Sequence, residues 1–485
     1  MKNKSIVKNG FLNGLKNGIN VLFPLITFPY VTRVLNVESL GAYNFAFSFI
    51  NYFILLAGLG IASYSVREGS KLRNDRDRFN EFASSVFTIN IFSTIISYMF
   101  LAICLLLSKN LQNHTSLILM FSIQILFTTL GVEWIYSIYE EYLYITLRSI
   151  VFKIISILLL FFLVRTEKDT LKYAGITVFS IVGSNILNII NSKKYCKLVI
   201  KSPTECRVHL KPILVLFASS VAVMIYVYSD ITMLGFMKGN YVVGIYSVSS
   251  KIYTIIKTLL SSIIIVSIPR CAMYHGQGKL KEFCLLVQKI YDILMIMVLP
   301  AVTGMFILSD RIILLIAGKE YIRAATSLRI LCIALVFCIA GWIFNQCVLL
   351  PCGKEKMILK ATMSSATINI VLNVFLIPIM SEDAAALTTA LSEFLMMLIC
   401  GYYGMKECRI RLINKNILST VCGCLGITFS IVLFSFFARN LNNLLFLVTI
   451  IIISVLVYYA ILMFTKNEIL RSTIKFVSNK LVNNS

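Results

Sequence analysis

Residues that carry chemistry are scarce in this chain of 485 residues. Charged side chains make up only 14% of it, acids number 22 against 45 bases, and the histidines are three, His114, His209 and His275. The thirteen cysteines form neither a CxxC pair nor a zinc spacing, and Cys422 and Cys424 fall on different faces of a helix. Free cysteine in such a setting is expected to pack as a small apolar residue, without a metal or redox role. No GxxxxGK[ST] loop, HExxH or GxSxG occurs, which excludes a P-loop ATPase and two common hydrolase types. Nor is there a long polar stretch to hold a soluble active site. The outer loops 165–172 and 310–323 are short and lack paired carboxylates, unlike the loops of a lipid-dependent glycosyltransferase or polymerase. No catalytic residue, metal or cofactor is expected.

Apolar sequence is abundant, at 58% of residues and a mean hydropathy of +0.85. Runs of about 20 apolar residues each suffice to cross roughly 30 Å of hydrocarbon. The chain reads as an all-α polytopic membrane protein with about fourteen transmembrane helices. The expected spans are 11–34, 41–66, 82–107, 115–138, 143–164, 171–190, 211–235, 241–269, 284–308, 326–350, 357–379, 384–405, 416–437 and 443–464. The first run is too long for a signal-peptide core and lacks a small-residue cleavage site, so it is expected to stay in the mature protein. A net charge of +23 follows from topology and not from nucleic-acid binding, because the bases alternate with spans and no RNA or DNA motif accompanies them. The cytoplasmic set is Lys2, Lys4, Lys8 and Lys16, loops 67–81, 191–211, 270–282, 354–360 and 406–415, and the tail from Lys466. It holds about three times as many Lys and Arg as the opposite loops, which puts both termini inside.

The stretch 23–53 contains a pattern that returns later in the chain. Gly41, Tyr43, Asn44, Ser48 and Asn51 fall against Gly244, Tyr246, Ser247, Lys251 and Thr254 at one constant offset, and Glu81-Phe82 against Glu282-Phe283 at nearly the same one. Trp134 and Trp342 are a further echo, with Asn345 and Gln346 where the first copy has Glu133. Two six-helix bundles are therefore expected, 1–200 and 201–410, with the Lys-rich segment 191–211 as linker and 411–485 as two additional helices and a tail.

Several polar side chains stand inside these spans. Asn13, Asn17, Asn20, Pro24 and Thr27 share one helical face, and Asn44, Ser48 and Asn51 another. Amides facing lipid cost several kcal/mol each, so these faces either line water or bond neighbouring helices. Lys251 and Lys257 stand too far from a helix end to snorkel fully, which points to a wet interior or to a charge pair, with Asp230 as the candidate partner. Glu133 and Asp230 are intramembrane acids, either ion-exchanging or neutralising a lysine. Asp292 is expected to pair with Lys289, one helical turn away, and Glu393 is a possible partner for Arg329. Asn185, Asn188, Ser364, Ser365, Thr367, Asn369 and Asn373 suit interhelical contacts or a lumen.

At FPLITFPYVTRVLNVESLGAYNFAFSFINYFILLAGLGIASYSVRE (23–68), GVEWIYSIYEEYLYITLRS (131–149) and LLPCGKEK (349–356) the sequence resembles the Wzx-type polysaccharide flippases of the multidrug/oligosaccharidyl-lipid/polysaccharide exporter superfamily. The resemblance implies two six-helix bundles around a central cavity, a bacterial plasma membrane, and an undecaprenyl-diphosphate-linked oligosaccharide as cargo. It also implies membrane lipids and glycan-assembly enzymes, a polymerase and glycosyltransferases, as partners. Lys251 and Lys257 would meet the diphosphate, with Arg33 and Arg270 at opposite rims and Asn17, Asn20, Asn44 and Asn51 on the polar walls. Alternating access between repeats would move the cargo. The competing readings are a drug/cation antiporter of the same superfamily, a membrane-embedded glycan-modifying enzyme, and a non-transporting scaffold of a glycan assembly complex.

Overall fold

The computed structural model describes residues 18, 23–438 and 441–471. Asn13, Asn17 and Asn20 lie outside the described residues, as do Lys2, Lys4, Lys8 and Lys16. Among those described, twelve helices are long and apolar enough to cross a membrane, and a shorter apolar helix spans Thr115–Leu130. With the helical residues 23–34, these account for the fourteen expected spans. The chain divides into two compact units, Met1–Gly244 and Ile245–Ser485.

The first unit contains α1 (23–34), α2 (Val37–Gly58), α3 (Ile61–Leu72), α4 (Arg76–Leu107), α5 (Lys109–Gln112), α6 (Thr115–Leu130), α7 (Glu133–Ile138), α8 (Tyr142–Leu163), α9 (Thr170–Ser192) and α10 (Pro203–Lys238). Asn36 caps α2 by accepting from the Ser39 amide at 2.8 Å. The helix stops where Leu59 and Gly60 take positive φ, 46° and 73°. Gly60 also has the Phe217 nitrogen 3.1 Å from where a Cβ would stand, so both conformation and space favour glycine. Two carbonyls near this end, of which helix termination leaves that of Ala57 unpaired, are met by a polar stripe on α4. Asn90 and Ser93 donate to the Ala57 carbonyl at 2.7 and 2.5 Å, and Ser97 to that of Phe53 at 2.8 Å.

The expected span 115–138 is interrupted. α6 ends at Leu130, Val132 turns to φ 37°, and α7 is a separate helix of six residues. Burial drives this elbow: Val132, Trp134, Ile135 and Ile138 pack into one apolar core with Ile61, Phe79, Phe82 and Val86. The Lys-rich segment after α9 is extended and lies along α4. The amides of Lys197, Val199 and Lys201 reach the side-chain oxygens of Asn80, Ser84 and Thr88 at 2.9, 3.2 and 2.9 Å. Two extended residues advance about 6.6 Å and four helical residues about 6 Å, so the two periods match over this length.

The second unit takes α11 (Asn240–Gly276) from Ile245 onward, then α12 (Leu280–Ile307), α13 (Ser309–Ile316), α14 (Ala324–Trp342) running into a π-helical segment (Ile343–Leu349), α15 (Glu355–Met380), α16 (Glu382–Glu407), α17 (Lys415–Phe437) and α18 (Asn443–Phe464). The long helices α10, α11, α12, α14, α15 and α16 follow one another in the order of α1, α2, α4, α6, α8 and α9. Small residues on α16, Ala384, Ala385, Ala386 and Ala390, are buried where α14 and α15 close on it. Between α15 and α16, Thr388 donates to Asn373 at 2.7 Å, an interhelical use of that amide, and within α15 Asn373 donates to Asn369 at 3.2 Å.

The last two helices dock on α12. Pro300 has no N–H for the Ile296 carbonyl, and the Tyr458 hydroxyl of α18 donates to that oxygen at 2.7 Å. Asp292 is buried and does not pair with Lys289, which is exposed. It accepts from Gln288 at 2.9 Å and, across to the start of α17, from Asn414 at 2.8 Å and Asn416 at 3.0 Å. Two amides that reach it from the start of α17 satisfy the carboxylate better than a lysine on the outer face of its own helix.

Candidate functional site

In the second unit the candidate site is on the α11 face that carries Tyr253 and Lys257, four residues apart and so neighbours on the helix. The Lys257 ammonium lies 3.0 Å from Glu393 Oε1 on α16, with the Glu393 side chain only 3% exposed and that of Lys257 21%. Tyr253 donates its hydroxyl to the same carboxylate oxygen at 3.0 Å. The rings of Tyr253 and Trp342 flank the ammonium at 5.4 and 5.6 Å, within cation–π range. Trp342 is the last α-helical residue before the π segment, a local widening often found at functional sites. The acid that meets Lys257 is thus Glu393 and not Asp230. Glu393 is not the partner of Arg329 either, which pairs with Asp310.

Lys251 is half-buried, and no hydrogen bond or ion pair engages it among the described residues. It lies about 9 Å along the helix axis from Lys257. Arg270 is exposed near the end of α11, its guanidinium 5.7 Å over the Tyr274 ring, and it is not gathered with the two lysines.

In the first unit, Asn44 and Asn51 are half-buried and spend one donor each on their own helix, bonding the carbonyls of Leu40 at 2.9 Å and Phe47 at 2.7 Å. Ser48 joins α2 to α10 through Thr232 at 3.3 Å, and Asp230 is buried on α10 near it in sequence. Arg33 is exposed at the end of α1. Glu133, the first residue of α7, receives Arg148 Nη2 at 3.3 Å; the arginine side chain is 3% exposed and that of the acid 43%. Arg148 Nη1 donates to the Ser184 carbonyl at 3.0 Å, while its Nε and both amide atoms of buried Asn188 have no hydrogen-bond partner among the described residues. This second cluster joins α7, α8 and α9.

Two charges were not matched to their partners from sequence, Glu393 to Lys257 and Arg148 to Glu133. The signal was present, since a buried intramembrane charge calls for an opposite one. Helix neighbourhood, which decides between candidates, was not.

A family model described as polysaccharide biosynthesis protein matches residues 6–275, and a second, described as MatE, matches residues 216–375. The chain is 24% identical to a putative O-antigen transporter of Shigella dysenteriae over 375 residues, 75% of this chain and 91% of the relative. It is 25% identical to the capsular polysaccharide biosynthesis protein CapF of Staphylococcus aureus over 410 residues, 83% of this chain and all of the relative. Among solved structures, the lipid II flippase MurJ in an inward closed conformation superposes with a TM-score of 0.75 at 18% identity, covering 96% of this chain and 100% of MurJ. An inward-facing multidrug resistance MATE transporter superposes with a TM-score of 0.58 at 15% identity, covering 84% of this chain and 96% of its own. The fold is that of MurJ and the MATE transporters, and the chain belongs to the polysaccharide biosynthesis protein family.

Proposed function

We propose that this protein is a flippase that carries an undecaprenyl-diphosphate-linked oligosaccharide repeat unit across the bacterial plasma membrane for surface polysaccharide assembly. The carrying observation is Lys251, a half-buried cation within a membrane helix, engaged by no hydrogen bond or ion pair among the described residues. Such a charge is costly in hydrocarbon unless a wet path or an anionic ligand compensates it. A diphosphate is such a ligand, and charge-assisted hydrogen bonds to it are strong in a partly desolvated site. Each sugar hydroxyl costs roughly 1 kcal/mol or more to bury unpaired, so a polar cavity lowers the barrier that lipid alone imposes. The names of the relatives, an O-antigen transporter and a capsule biosynthesis protein, support the same substrate class.

In this reading two six-helix halves, 1–200 and 201–410, rock about a central cavity, with 411–485 as an accessory pair and tail. Lys251 and Lys257 take the diphosphate, Arg33 and Arg270 stand at the rims, and Asn17, Asn20, Asn44 and Asn51 meet sugar hydroxyls. Glu133 and Asp230 are the proposed exchange sites for a coupling proton or sodium ion. No bond in the cargo is made or broken, so the protein acts without catalysis. Both termini face the cytoplasm, where glycosyltransferases build the cargo, and a polymerase receives it outside.

A drug/cation antiporter is the second reading, favoured by the MatE match over 216–375. A host lacking its own flippase separates the two. Wild type is expected to restore surface glycan, and Lys251→Ala at matched membrane expression to trap lipid-linked oligosaccharide inside. Failure with several glycans together with altered resistance to cationic drugs favours the antiporter.

A further inference from the structure

We propose that Glu393 is a proton-binding site linked to anion binding at Lys257: the diphosphate takes over the ammonium, and the abandoned carboxylate takes up a proton. The inference deepens the flippase reading and rests on it for the identity of the anion. Its basis is geometric. One carboxylate oxygen of Glu393 holds both the Lys257 ammonium and the Tyr253 hydroxyl at 3.0 Å, in a site where the acid is 3% exposed and the lysine 21%.

The exposed part of this pair is the cation. An approaching anion meets the lysine, whose long stem can swing, while Glu393 is enclosed. The Tyr253 and Trp342 rings favour a cation without neutralising it, so they leave Lys257 free to change its anionic partner. Once Lys257 turns to the diphosphate, a charged Glu393 would be isolated in a medium of low dielectric, the costly state of a broken buried pair. A proton from cavity water relieves it by forming one O–H bond on the carboxyl group. Lys257 remains an ammonium throughout, and the proton leaves when the lysine returns. The occupied site therefore holds one proton more than the empty one, and the load that crosses carries one negative charge fewer.

The other ionisable groups facing Glu393 are Tyr253 from α11 and the Cys338 thiol from α14. α15 meets α16 through the neutral Asn369, Asn373 and Thr388. Lys257 is thus the cation whose departure decides the proton on Glu393. By linkage the effect is reciprocal, so a proton on Glu393 tightens anion binding at Lys257.

The test uses the full-length protein in lipid nanodiscs with farnesyl diphosphate as probe. An infrared difference spectrum, ligand-bound minus free, is expected to gain a protonated-carboxyl band in wild type and none in Glu393→Gln. Wild type should bind about tenfold tighter per unit fall in pH than Glu393→Gln, whose own slope reports the titration of the probe. Lys257→Gln should show the band before any ligand is added, which keeps the proposal testable if the glutamine variant folds poorly. No new band in wild type, or the same band and slope in Glu393→Gln, overturns the proton site. Restoration of surface glycan in the flippase-deficient host is scored separately. Glycan without the band sinks this inference alone, and the band without glycan sinks the flippase reading alone.

Discussion

Gly41 of α2 and Gly244 of α11 lie back to back, with no room for a methyl group on either. A Cβ on Gly41 would stand 1.8 Å from the Asn240 carbonyl oxygen and 2.9 Å from the Gly244 nitrogen, and one on Gly244 would stand 2.1 Å from the Val37 carbonyl oxygen. The two glycines occupy equivalent places in the repeat: Gly41 and Gly244 are 203 residues apart (244 − 41), as are the helix starts Val37 and Asn240 (240 − 37). Both glycines of the sequence pattern thus sit at one close backbone approach within the first unit.

Gly41→Ala and Gly244→Ala should each destabilise the protein by about 2 kcal/mol or more, because backbone cannot yield as a side-chain tip does. The neighbouring bond from the His114 ring to Asn240 Oδ1, 2.8 Å, should loosen with them. Thermal unfolding in detergent checks this. Gly18→Ala, at a residue with nothing within 4 Å of the added methyl, is the control and should leave Tm unchanged. Equal Tm in all variants would remove the close approach from the account.

The extended segment along α4 gives a prediction that chemical labelling reads. Cys196 is buried at the start of that segment, and burial pushes its thiol up to about 12. A folded-state pKa above the ordinary thiol value means that the thiolate is scarce below that pH; near pH 8 it is about one part in 10⁴. Peptide-resolved maleimide labelling should therefore find Cys196 almost inert. Ser84→Ala with Thr88→Ala removes the acceptors of the Val199 and Lys201 amides, about 1 kcal/mol each, and should speed labelling of Cys196 severalfold. Rapid labelling of wild type would show that the segment does not stay docked.

Hydropathy made the helices legible because span length is set by the bilayer. The elbow at Val132 was not, since Trp134, Ile135 and Ile138 continue an apolar run whether or not the backbone turns. Partner choice among charges was the other gap. Lys289 is the sequence neighbour of Asp292, yet Asn414 and Asn416 reach the acid from another helix, and nothing in residue spacing ranks a contact across more than a hundred residues against a local one. Lys251 and Lys257 looked alike in sequence; packing gives one an acid and leaves the other without an ion pair among the described residues.

Pro300 and Tyr458 supply a third prediction. Tyr458→Phe keeps the ring but takes away the donor to the Ile296 carbonyl, which the proline has already deprived of its helical partner. A loss of about 1–2 kcal/mol is expected. Pro300→Ala restores an N–H to α12, so the double variant should recover most of it. A double variant no more stable than Tyr458→Phe would mean that the hydroxyl does not serve that oxygen.

The Glu133–Arg148 pair should respond asymmetrically to the loss of either member. Arg148 is the buried one, and removing its carboxylate leaves a guanidinium with the Ser184 carbonyl and an Nε that has no partner among the described residues. Glu133→Ala should cost about 2 kcal/mol, less than the roughly 3–5 of a fully enclosed pair because the acid is 43% exposed and water screens the interaction. Arg148→Met removes the buried charge itself and leaves Glu133 able to hydrate, so its cost should be about 1 kcal/mol or smaller. Unfolding in detergent at matched lipid content orders the variants. A larger loss for Arg148→Met would mean that the arginine contributes through its packing against Tyr144 and the Ser184 carbonyl, with the carboxylate secondary.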